Sequence, residues 1–443
     1  MKKTYDRWIQ LAAGRSQLAL LSTFVKWVIL GGLVGLLSGS ASALFLSSLD
    51  AVTRIRLEHA WLLFLLPLGG AVVSGLYMHY GKSSAKGNNL ILEQIRQGTE
   101  AIPLRMAPLV LAGTLITHLF GGSAGREGTA VQMGSSLADA LGRWLRITPA
   151  DRTILLMCGI SGGFGSIFGT PLAGTVFGLE VIAIGLLSHK ALLPCFAASF
   201  TGDLVTTRLW GVHHIHYKVD LYPAMDGLVL LKVIAASILF GLASLLFSEL
   251  THYLKRSFTA LIANPMLKSF TGGLIIIALV YIAGSRDYLG LGIPLISDSF
   301  ESGVHPFAFL WKLIFTAFTL GTGFQGGEVT PLFAIGATMG NSLAGLLHLY
   351  GPFLASLGFI AVFCGAVNTP LACFIMGIEL FGSGGAVYMF IACVISYLFS
   401  GHSGIYSSQL IGISKSALLP VPEGTTLADS KLINPRSRGQ DLK

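Results

Sequence analysis

Two stretches decide the fold: Gly122-Ser-Ala-Gly-Arg-Glu-Gly-Thr129 in the first half of the chain, and Gly323-Phe-Gln-Gly-Gly-Glu-Val-Thr330 in the second. A glutamate and a threonine fall at the same offsets in both copies. A further pair of matching segments follows them, Thr170-Pro-Leu-Ala173 and Thr369-Pro-Leu-Ala372. Because the members of both pairs lie about 200 residues apart, the chain contains a duplicated unit.

The composition is that of a membrane protein. Of the 443 residues, 53% are hydrophobic and only 11% are charged, whereas a soluble domain usually carries about 25% charged residues. The net charge of +8 comes from basic residues scattered among short loops, so no nucleic-acid partner is expected. A cytoplasmic N-terminus is favoured by the basic residues that precede the first long apolar run: Lys2, Lys3, Arg7, Arg15 and Lys26.

Apolar runs recur from residue 27 to residue 400, and several are shorter than the ~20 residues that a full span needs. Runs interrupted by Gly and Pro, such as Gly159 to Pro171 and Gly321 to Pro331, predict discontinuous helices that end inside the membrane. The expected regions are a cytoplasmic N-terminal segment (1–26), a first membrane repeat (27–207), a connecting loop (208–226), a second membrane repeat (227–412) and a cytoplasmic C-terminal tail (413–443).

Each copy of the motif places a Gly-rich turn directly before a predicted helix, and Pro331 fits the first turn of the second one. Free backbone N–H groups and the positive end of the dipole at a helix start favour an anion. If both starts meet at the midplane, the chain can hold an anion without a buried Lys or Arg. Matching Gly-interrupted segments in two halves indicate a secondary transporter, with a site at the repeat interface.

Glu127 and Glu328 lie in these turns. A carboxylate there can occupy the anion's own place while charged and leave it when protonated, which would couple anions to protons. The alternative for each is a carboxylate that only caps its helix electrostatically. Glu180 and Glu379, in contrast, are interpreted as buried, hydrogen-bonded structural carboxylates rather than proton carriers.

Other candidates for chemistry are weaker. The histidines His213, His214 and His216 could bind a metal, but in a polar loop they are interpreted as solvated side chains. The five cysteines lie in or beside apolar segments without a CxxC pair, which indicates packing residues. No metal site and no cofactor are therefore predicted. Neither a nucleophile–base pair nor an HExxH motif is found, so we do not expect an enzyme.

The two turns resemble the signature segments of the CLC family of chloride channels and anion/proton antiporters, and the likeness runs from about residue 27 to 420. In that family a Gly-Arg-Glu-Gly-Pro segment supplies the gating glutamate. The resemblance gives that role to Glu127, with the backbones of Arg126 and Gly128 beside the anion. It also implies an all-α integral membrane homodimer, in which each subunit has two inverted helical repeats whose broken helices meet at a midplane anion site.

The resemblance assigns further anion ligands. A second Gly-rich segment of the family ends in Pro and lends backbone amides to the central anion. Here these amides would be those of Glu328 and Val329. The family also has a tyrosine near the end of its last core helix whose hydroxyl touches the anion, and Tyr406 in Gly404-Ile-Tyr406 resembles it.

Departures from the family pattern favour one of its branches. Asn88 replaces a serine that binds chloride, Thr129 replaces the proline of the gating segment, and Gly327-Glu-Val-Thr-Pro331 contains a carboxylate that chloride transporters lack. This combination resembles the fluoride/proton antiporters of the family. The inner proton-transfer glutamate of chloride exchangers falls on Val181 here.

Fluoride explains these departures chemically. It accepts hydrogen bonds far more strongly than chloride, so its site should offer strong donors such as the Asn88 amide and the Thr330 and Tyr406 hydroxyls. It is also the anion of a weak acid and can share a proton with a carboxylate. The resemblance implies a multi-pass exporter of fluoride in exchange for protons in a prokaryotic plasma (inner) membrane, with both termini cytoplasmic. The alternative is a chloride/proton antiporter or passive chloride channel of the same family.

Overall fold

The protein is helical almost throughout in the computed structural model, which describes residues 2–215, 217–301, 303–422 and 424–431, with side chains from residue 16 onward. The helices of the first half are α1 (Lys2–Glu58), α2 (Leu66–Leu76), α3 (Asn88–Gln97), α4 (Met106–Leu119), α5 (Glu127–Trp144), α6 (Pro149–Phe168), α7 (Pro171–Glu180) and α8 (Leu192–Leu204). Those of the second half are α9 (Gly227–Leu261), α10 (Pro265–Ala283), α11 (Ile293–Phe300), α12 (Ala308–Gly321), α13 (Val329–Leu347), α14 (Gly351–Val367), α15 (Pro370–Phe381), α16 (Ala386–Phe399) and the short α17 (Leu427–Ser430). Short 3-10 or π segments join them at Ala60–Leu65, Tyr77–Gly81, Lys82–Lys86, His189–Ala191, Val205–Leu209 and Ser383–Gly385.

Several helices are long and apolar enough to cross a bilayer. Within the described residues there are five such spans, Ser16–Glu58, Ala60–Lys86, Gly227–Leu261, Pro265–Ala283 and Val329–Leu347. The most apolar window of the first is only 22% buried, whereas that of the last is 72% buried. The last span is therefore enclosed by protein, while the first has an apolar surface suited to lipid. The expected all-α membrane fold is confirmed.

The Thr-Pro-Leu-Ala segments mark the same break in each half. Helix α6 ends at a left-handed glycine, Gly169 (φ +71°), and α7 begins at Pro171 after Thr170. Helix α14 ends at Asn368, which is also left-handed (φ +60°), and α15 begins at Pro370. A left-handed residue stops a helix and a proline starts the next one, so a short sequence signal produces two discontinuous helices.

Close helix packing fixes the helices that start at the duplicated turns. Helix α5 packs on α6, where a Cβ at Gly159 would lie 2.6 Å from Ser135 Cα. Glycine is required at this crossing because any side chain would force the two backbones apart. Between the halves, Phe164 and Phe177 from the first repeat stack with Phe363 from the second, with ring centroids 6.0 and 6.1 Å away. The two halves thus share one core.

A small sheet joins the end of the chain to the first repeat. Strand β1 (Ala183–Ile184) pairs in parallel with β2 (Leu410–Ile411), which pairs antiparallel with β3 (Thr425–Thr426). The part of the expected C-terminal tail that the structure describes is therefore packed against the helices, with Leu427 2% exposed. The buried side chains of this segment are scattered among polar ones, so the sequence alone predicted a polar tail. Residues 432–443 lie outside the described residues.

Candidate functional site

The two Gly-rich turns meet. Gly125 N donates to Gly327 O at 2.6 Å, and Gly327 N donates to Gly125 O at 2.8 Å. This antiparallel bridge brings the start of α5, at Glu127, next to the start of α13, at Val329. Glycine is needed at position 125 because a Cβ there would lie 2.8 Å from both Glu127 Oε2 and Pro331 Cδ. Two helix starts, each with free N–H groups, therefore converge on one point.

Glu127 occupies that point. Its side chain is 1% exposed, and its Oε2 accepts hydrogen bonds from Arg126 N at 3.1 Å and from Thr330 N at 3.0 Å. The Thr330 hydroxyl donates to Oε1 of the same carboxylate. The Glu127 carboxylate thus takes the donors of both helix starts, and its oxygens stand where an anion held by those donors would sit.

The carboxylates at the two motif positions have different surroundings. The side chain of Glu328 makes no cap hydrogen bond to the start of α13. It lines a cavity of about 350 Å³ instead. The neighbouring Thr129 hydroxyl bonds to Thr114 Oγ1 at 2.7 Å, which keeps this hydroxyl away from the convergence point.

Two other side chains predicted to bind the anion also line this cavity. Asn88, the first residue of α3, and Tyr406, which is 5% exposed, both line it beside Glu328. A Cβ at Gly128 would lie 3.0 Å from Asn88 Nδ2, so the glycine after Glu127 leaves room for the Asn88 amide. The predicted site residues therefore form two adjoining groups, one around the Glu127 carboxylate and one around the cavity.

Charge around the cavity favours an anion. Lys86, Lys255 and Lys268 line it, whereas Glu328 is its only lining carboxylate among the described residues. Lys86 is paired with Glu93 at 2.7 Å, which leaves the other two ammonium groups without a carboxylate contact in the described part of the chain. Cationic groups at the mouth of a cleft raise the local concentration of anions.

The lining residues that the sequence did not predict include Tyr77, Gln132 and Lys255. A sequence signal existed for Gln132, which lies four residues after Gly128 and so on the same face of α5. Tyr77 begins a π-helical turn, and Lys255 lies late in the apolar helix α9. Neither position could be assigned to the cavity without knowing how the helices pack.

The side chains interpreted as structural have structural contacts. Glu180 accepts hydrogen bonds from Ala372 N at 2.9 Å and Leu371 N at 3.2 Å. Val181 is 2% exposed, and its carbonyl accepts from Gln409 Nε2 at 2.9 Å. No side chain that could take over an inner proton relay stands at position 181.

The histidine loop offers no metal centre in the part that the structure describes, where no group of three or more His, Cys, Asp or Glu side chains could hold an ion. His214 Nε2 lies 3.9 Å from Asp203 Oδ1. His216 lies outside the described residues. The five cysteines are free and buried, as expected for packing residues.

Comparison with known proteins identifies the family. The family model described as "Voltage gated chloride channel" matches residues 69–401. The chain belongs to this family. A "Chloride/fluoride channel protein" of Pseudomonas syringae pv. tomato is 50% identical to it over 427 residues, which cover 95% of this chain and 94% of the relative.

Solved structures of this chloride channel family share the fold. A CLC-type fluoride/proton antiporter is 36% identical and superposes with a TM-score of 0.85, covering 87% of this chain and 98% of the other. A slow cyanobacterial Cl⁻/H⁺ antiporter has a TM-score of 0.75 over 94% of this chain and 99% of its own, at 20% identity. The second likeness shows the fold alone. The chain therefore has the CLC transporter fold that the resemblance of its motifs to this family implied.

Proposed function

We propose that this CLC protein exports fluoride across a bacterial inner membrane in exchange for protons that move inward. The observation that carries the proposal is the Glu127 carboxylate, which accepts hydrogen bonds from Arg126 N and from both the amide and the hydroxyl of Thr330. A group that fills an anion site while charged and vacates it when neutral couples anion movement to protons. The likeness to a fluoride/proton antiporter supports the same function.

The chemistry at the site follows from charge. Protonation removes the negative charge of Glu127, so the donors of α5 and α13 lose their charged acceptor. Fluoride entering from the cavity then accepts those hydrogen bonds, and the neutral Glu127 side chain leaves the site. Loss of its proton to the cytoplasmic side lets the carboxylate return and displace fluoride to the outer side.

Exchange is favoured over passive flow by the burial of Glu127. A passive pore needs a continuous path, whereas this side chain is 1% exposed and closes the point where the two helix starts meet. The P. syringae relative is named a channel protein and the solved relative an antiporter, so the names alone leave both modes open. The blocked path is the feature of this chain that favours antiport.

Fluoride is favoured over chloride by the ligands. A small, strongly accepting anion gains most from hydroxyl and amide donors, which Thr330, Tyr406 and Asn88 supply. Glu328 adds a second carboxylate, with which a weak-acid anion such as fluoride can share a proton. Chloride, the anion of a strong acid, gains nothing from that arrangement.

The proposal includes assembly and orientation. The basic residues before the first apolar run favour a cytoplasmic N-terminus, and Ala428 N in the C-terminal segment donates to the carbonyl of Ser407, the residue after Tyr406. We propose that both termini are cytoplasmic and that the cavity opens to that side. We also propose a homodimer with one pathway in each subunit, as the resemblance to the family implies.

The test is anion flux from proteoliposomes containing the purified protein. Fluoride efflux, measured with a fluoride electrode, should exceed chloride efflux and should drive opposing proton movement against a gradient. Chloride exchange at an equal or greater rate would contradict the fluoride assignment. Fluoride flux without proton movement would contradict antiport and identify a passive channel.

A further inference from the structure

The turn that precedes Glu127 is held in place by helix α12. Ser123, in this turn, is fully buried. Its hydroxyl oxygen lies 2.9 Å from Thr316 Oγ1, and its backbone N donates to Thr319 Oγ1 at 3.1 Å. Lys312 Nζ donates to the same Ser123 hydroxyl at 2.9 Å. Three side chains on one face of α12 thus fix the residue that lies four positions before Glu127.

Lys312 is a lysine without exposed surface in an apolar helix, and the cycle above does not use it. Its other two hydrogen bonds go to Tyr288 O at 3.1 Å and to Gly290 O at 2.7 Å. All three acceptors are neutral oxygen atoms, and the charge that acts on Lys312 is that of Arg56, a second cation. A buried cation without a counter-ion destabilises a protein, so a methionine would suit this position better unless the ammonium group has a function.

The corresponding turn of the second repeat is held by neutral hydroxyl groups. Phe324 stands at the position that matches Ser123. The backbone beside it is held by Ser269, whose Oγ donates to Thr322 O at 2.9 Å and lies 2.6 Å from Ser74 Oγ. The fully buried ammonium group is therefore found at the turn whose carboxylate takes the place of the anion, and not at its counterpart.

We infer that Lys312 is a positioning residue for the exchange, which holds the Ser123 turn and the donors of α5 in place while the Glu127 carboxylate leaves and returns. The inference rests on the proposed function and adds to it a residue that contacts neither the anion nor the proton carrier. Ser123 lies two residues before the backbone bridge between the two turns and three before Arg126, whose N–H binds the carboxylate. A fixed turn keeps these donors in one geometry, so that fluoride and the carboxylate compete for the same place. The charge of Lys312 also favours a negative occupant, because charges act over long distances in a buried site.

The test uses two substitutions, Ser123→Ala and Lys312→Met, in the full-length protein in proteoliposomes, with proton and fluoride fluxes measured together. The first removes one hydroxyl group, and the second removes the ammonium group while filling a similar volume. We expect the proton-to-fluoride ratio to fall by at least about twofold in Ser123→Ala and further in Lys312→Met, since a loosened turn lets fluoride pass without a proton. Lys312→Met should also raise the KM for fluoride by about tenfold, because a buried positive charge is lost.

Matched controls remove the same groups elsewhere. Ser136→Ala removes a buried hydroxyl of α5 that donates to Pro103 O at 3.0 Å. Lys415→Met removes an ammonium group that, like Lys312, has three neutral acceptors, namely Asn368 Oδ1, Tyr397 O and Ser400 Oγ. Both controls should keep the wild-type proton-to-fluoride ratio, although Lys415→Met should lower the midpoint of thermal unfolding. A control that lowers the ratio as much as Lys312→Met would show that general destabilisation causes the loss, and this would overturn the inference.

Failure of this inference can be told from failure of the proposed function. A wild-type protein that does not exchange fluoride for protons contradicts the function itself. If the wild type exchanges them and the two folded variants keep its ratio and KM, with only a lower unfolding midpoint, Lys312 has a purely structural role and the function stands. Ser123→Ala carries the test alone if Lys312→Met does not fold, because it removes a single oxygen atom.

Discussion

Glu180 and Glu379 each bind the start of the helix that carries the other. The Glu180 carboxylate, at the end of α7, accepts from Leu371 N and Ala372 N of α15. The Glu379 carboxylate, near the end of α15, accepts from Leu172 N and Ala173 N of α7, at 2.9 and 2.7 Å. The two repeats are thus joined by a reciprocal pair of helix caps, each made by carboxyl oxygens that accept from free backbone N–H groups at a helix start.

This exchange of caps predicts that Glu180→Gln is a stability variant and not a coupling variant. An amide can accept for one backbone N–H but brings its own N–H toward the other, so the cap is weakened by about 1–3 kcal/mol. We expect a lower midpoint of thermal unfolding in detergent, with proton-coupled fluoride flux retained. Loss of coupling in a folded Glu180→Gln protein would make Glu180 the inner proton relay and would contradict our mechanism.

Glu127→Gln should abolish proton coupling. The amide keeps the size of the side chain but cannot titrate, so fluoride movement no longer requires a proton. Fluoride and proton fluxes measured together in one vesicle preparation test this directly. Glu379→Gln, which neutralises a structural carboxylate, serves as the matched control and should retain coupling. An unchanged exchange ratio in Glu127→Gln would remove Glu127 from the mechanism.

The sequence predicted the convergence point better than its surroundings. The duplicated Gly-rich turns and Pro331 identified both helix starts, because glycine and proline act locally on the backbone. Duplication alone did not show that Gly125 and Gly327 would pair, since residues about 200 positions apart can meet in several topologies. Gln132 could have been suspected from its helical spacing to Gly128. Tyr77 could not, because its place depends on how α2 packs.

Thr330→Val should reduce fluoride preference. The substitution keeps the branched shape and removes only the hydroxyl that contacts the Glu127 carboxylate and, in the proposed cycle, the anion. A hydrogen bond to a charged group contributes about 1.5–3 kcal/mol, so the ratio of fluoride to chloride flux should fall at least about tenfold. Asn88→Ser should add to this effect, because it shortens a second donor.

Thr338→Val provides the control on the same helix. Its hydroxyl donates to Ala334 O at 2.6 Å, within α13, and this hydrogen bond involves no residue of the proposed site. It should leave the flux ratio unchanged. If both variants change selectivity equally, the effect of Thr330 would come from helix packing and not from the anion site.

Glu328→Gln should impair proton-coupled fluoride flux without unfolding the protein. Its side chain makes no cap hydrogen bond, so neutralising it removes charge from the cavity and leaves the start of α13 intact. We expect slower exchange at saturating fluoride and an unfolding midpoint close to wild type. A variant with wild-type flux but reduced thermal stability would instead support the capping role that the sequence left open.

Gln409→Met should weaken the anion site indirectly, because Gln409 holds the turn that carries Tyr406. Gln409 is fully buried, and its Nε2 donates to Val181 O and to Val367 O, both at 2.9 Å. Its Oε1 accepts from Asn368 Nδ2 at 3.0 Å, and its backbone N donates to Tyr406 O at 3.0 Å. One amide therefore fixes the turn that holds Tyr406 against the ends of α7 and α14.

Methionine fills a similar volume but satisfies none of these groups, so two carbonyls and one amide donor lose a buried partner. We expect a loss of a few kcal/mol in the free energy of unfolding, together with reduced fluoride preference because the Tyr406 hydroxyl is no longer fixed. Tyr406→Phe is the comparison: it should reduce fluoride preference with little change in stability. If Gln409→Met lowers stability and keeps the wild-type flux ratio, the C-terminal turn supports the fold without positioning Tyr406 for the anion.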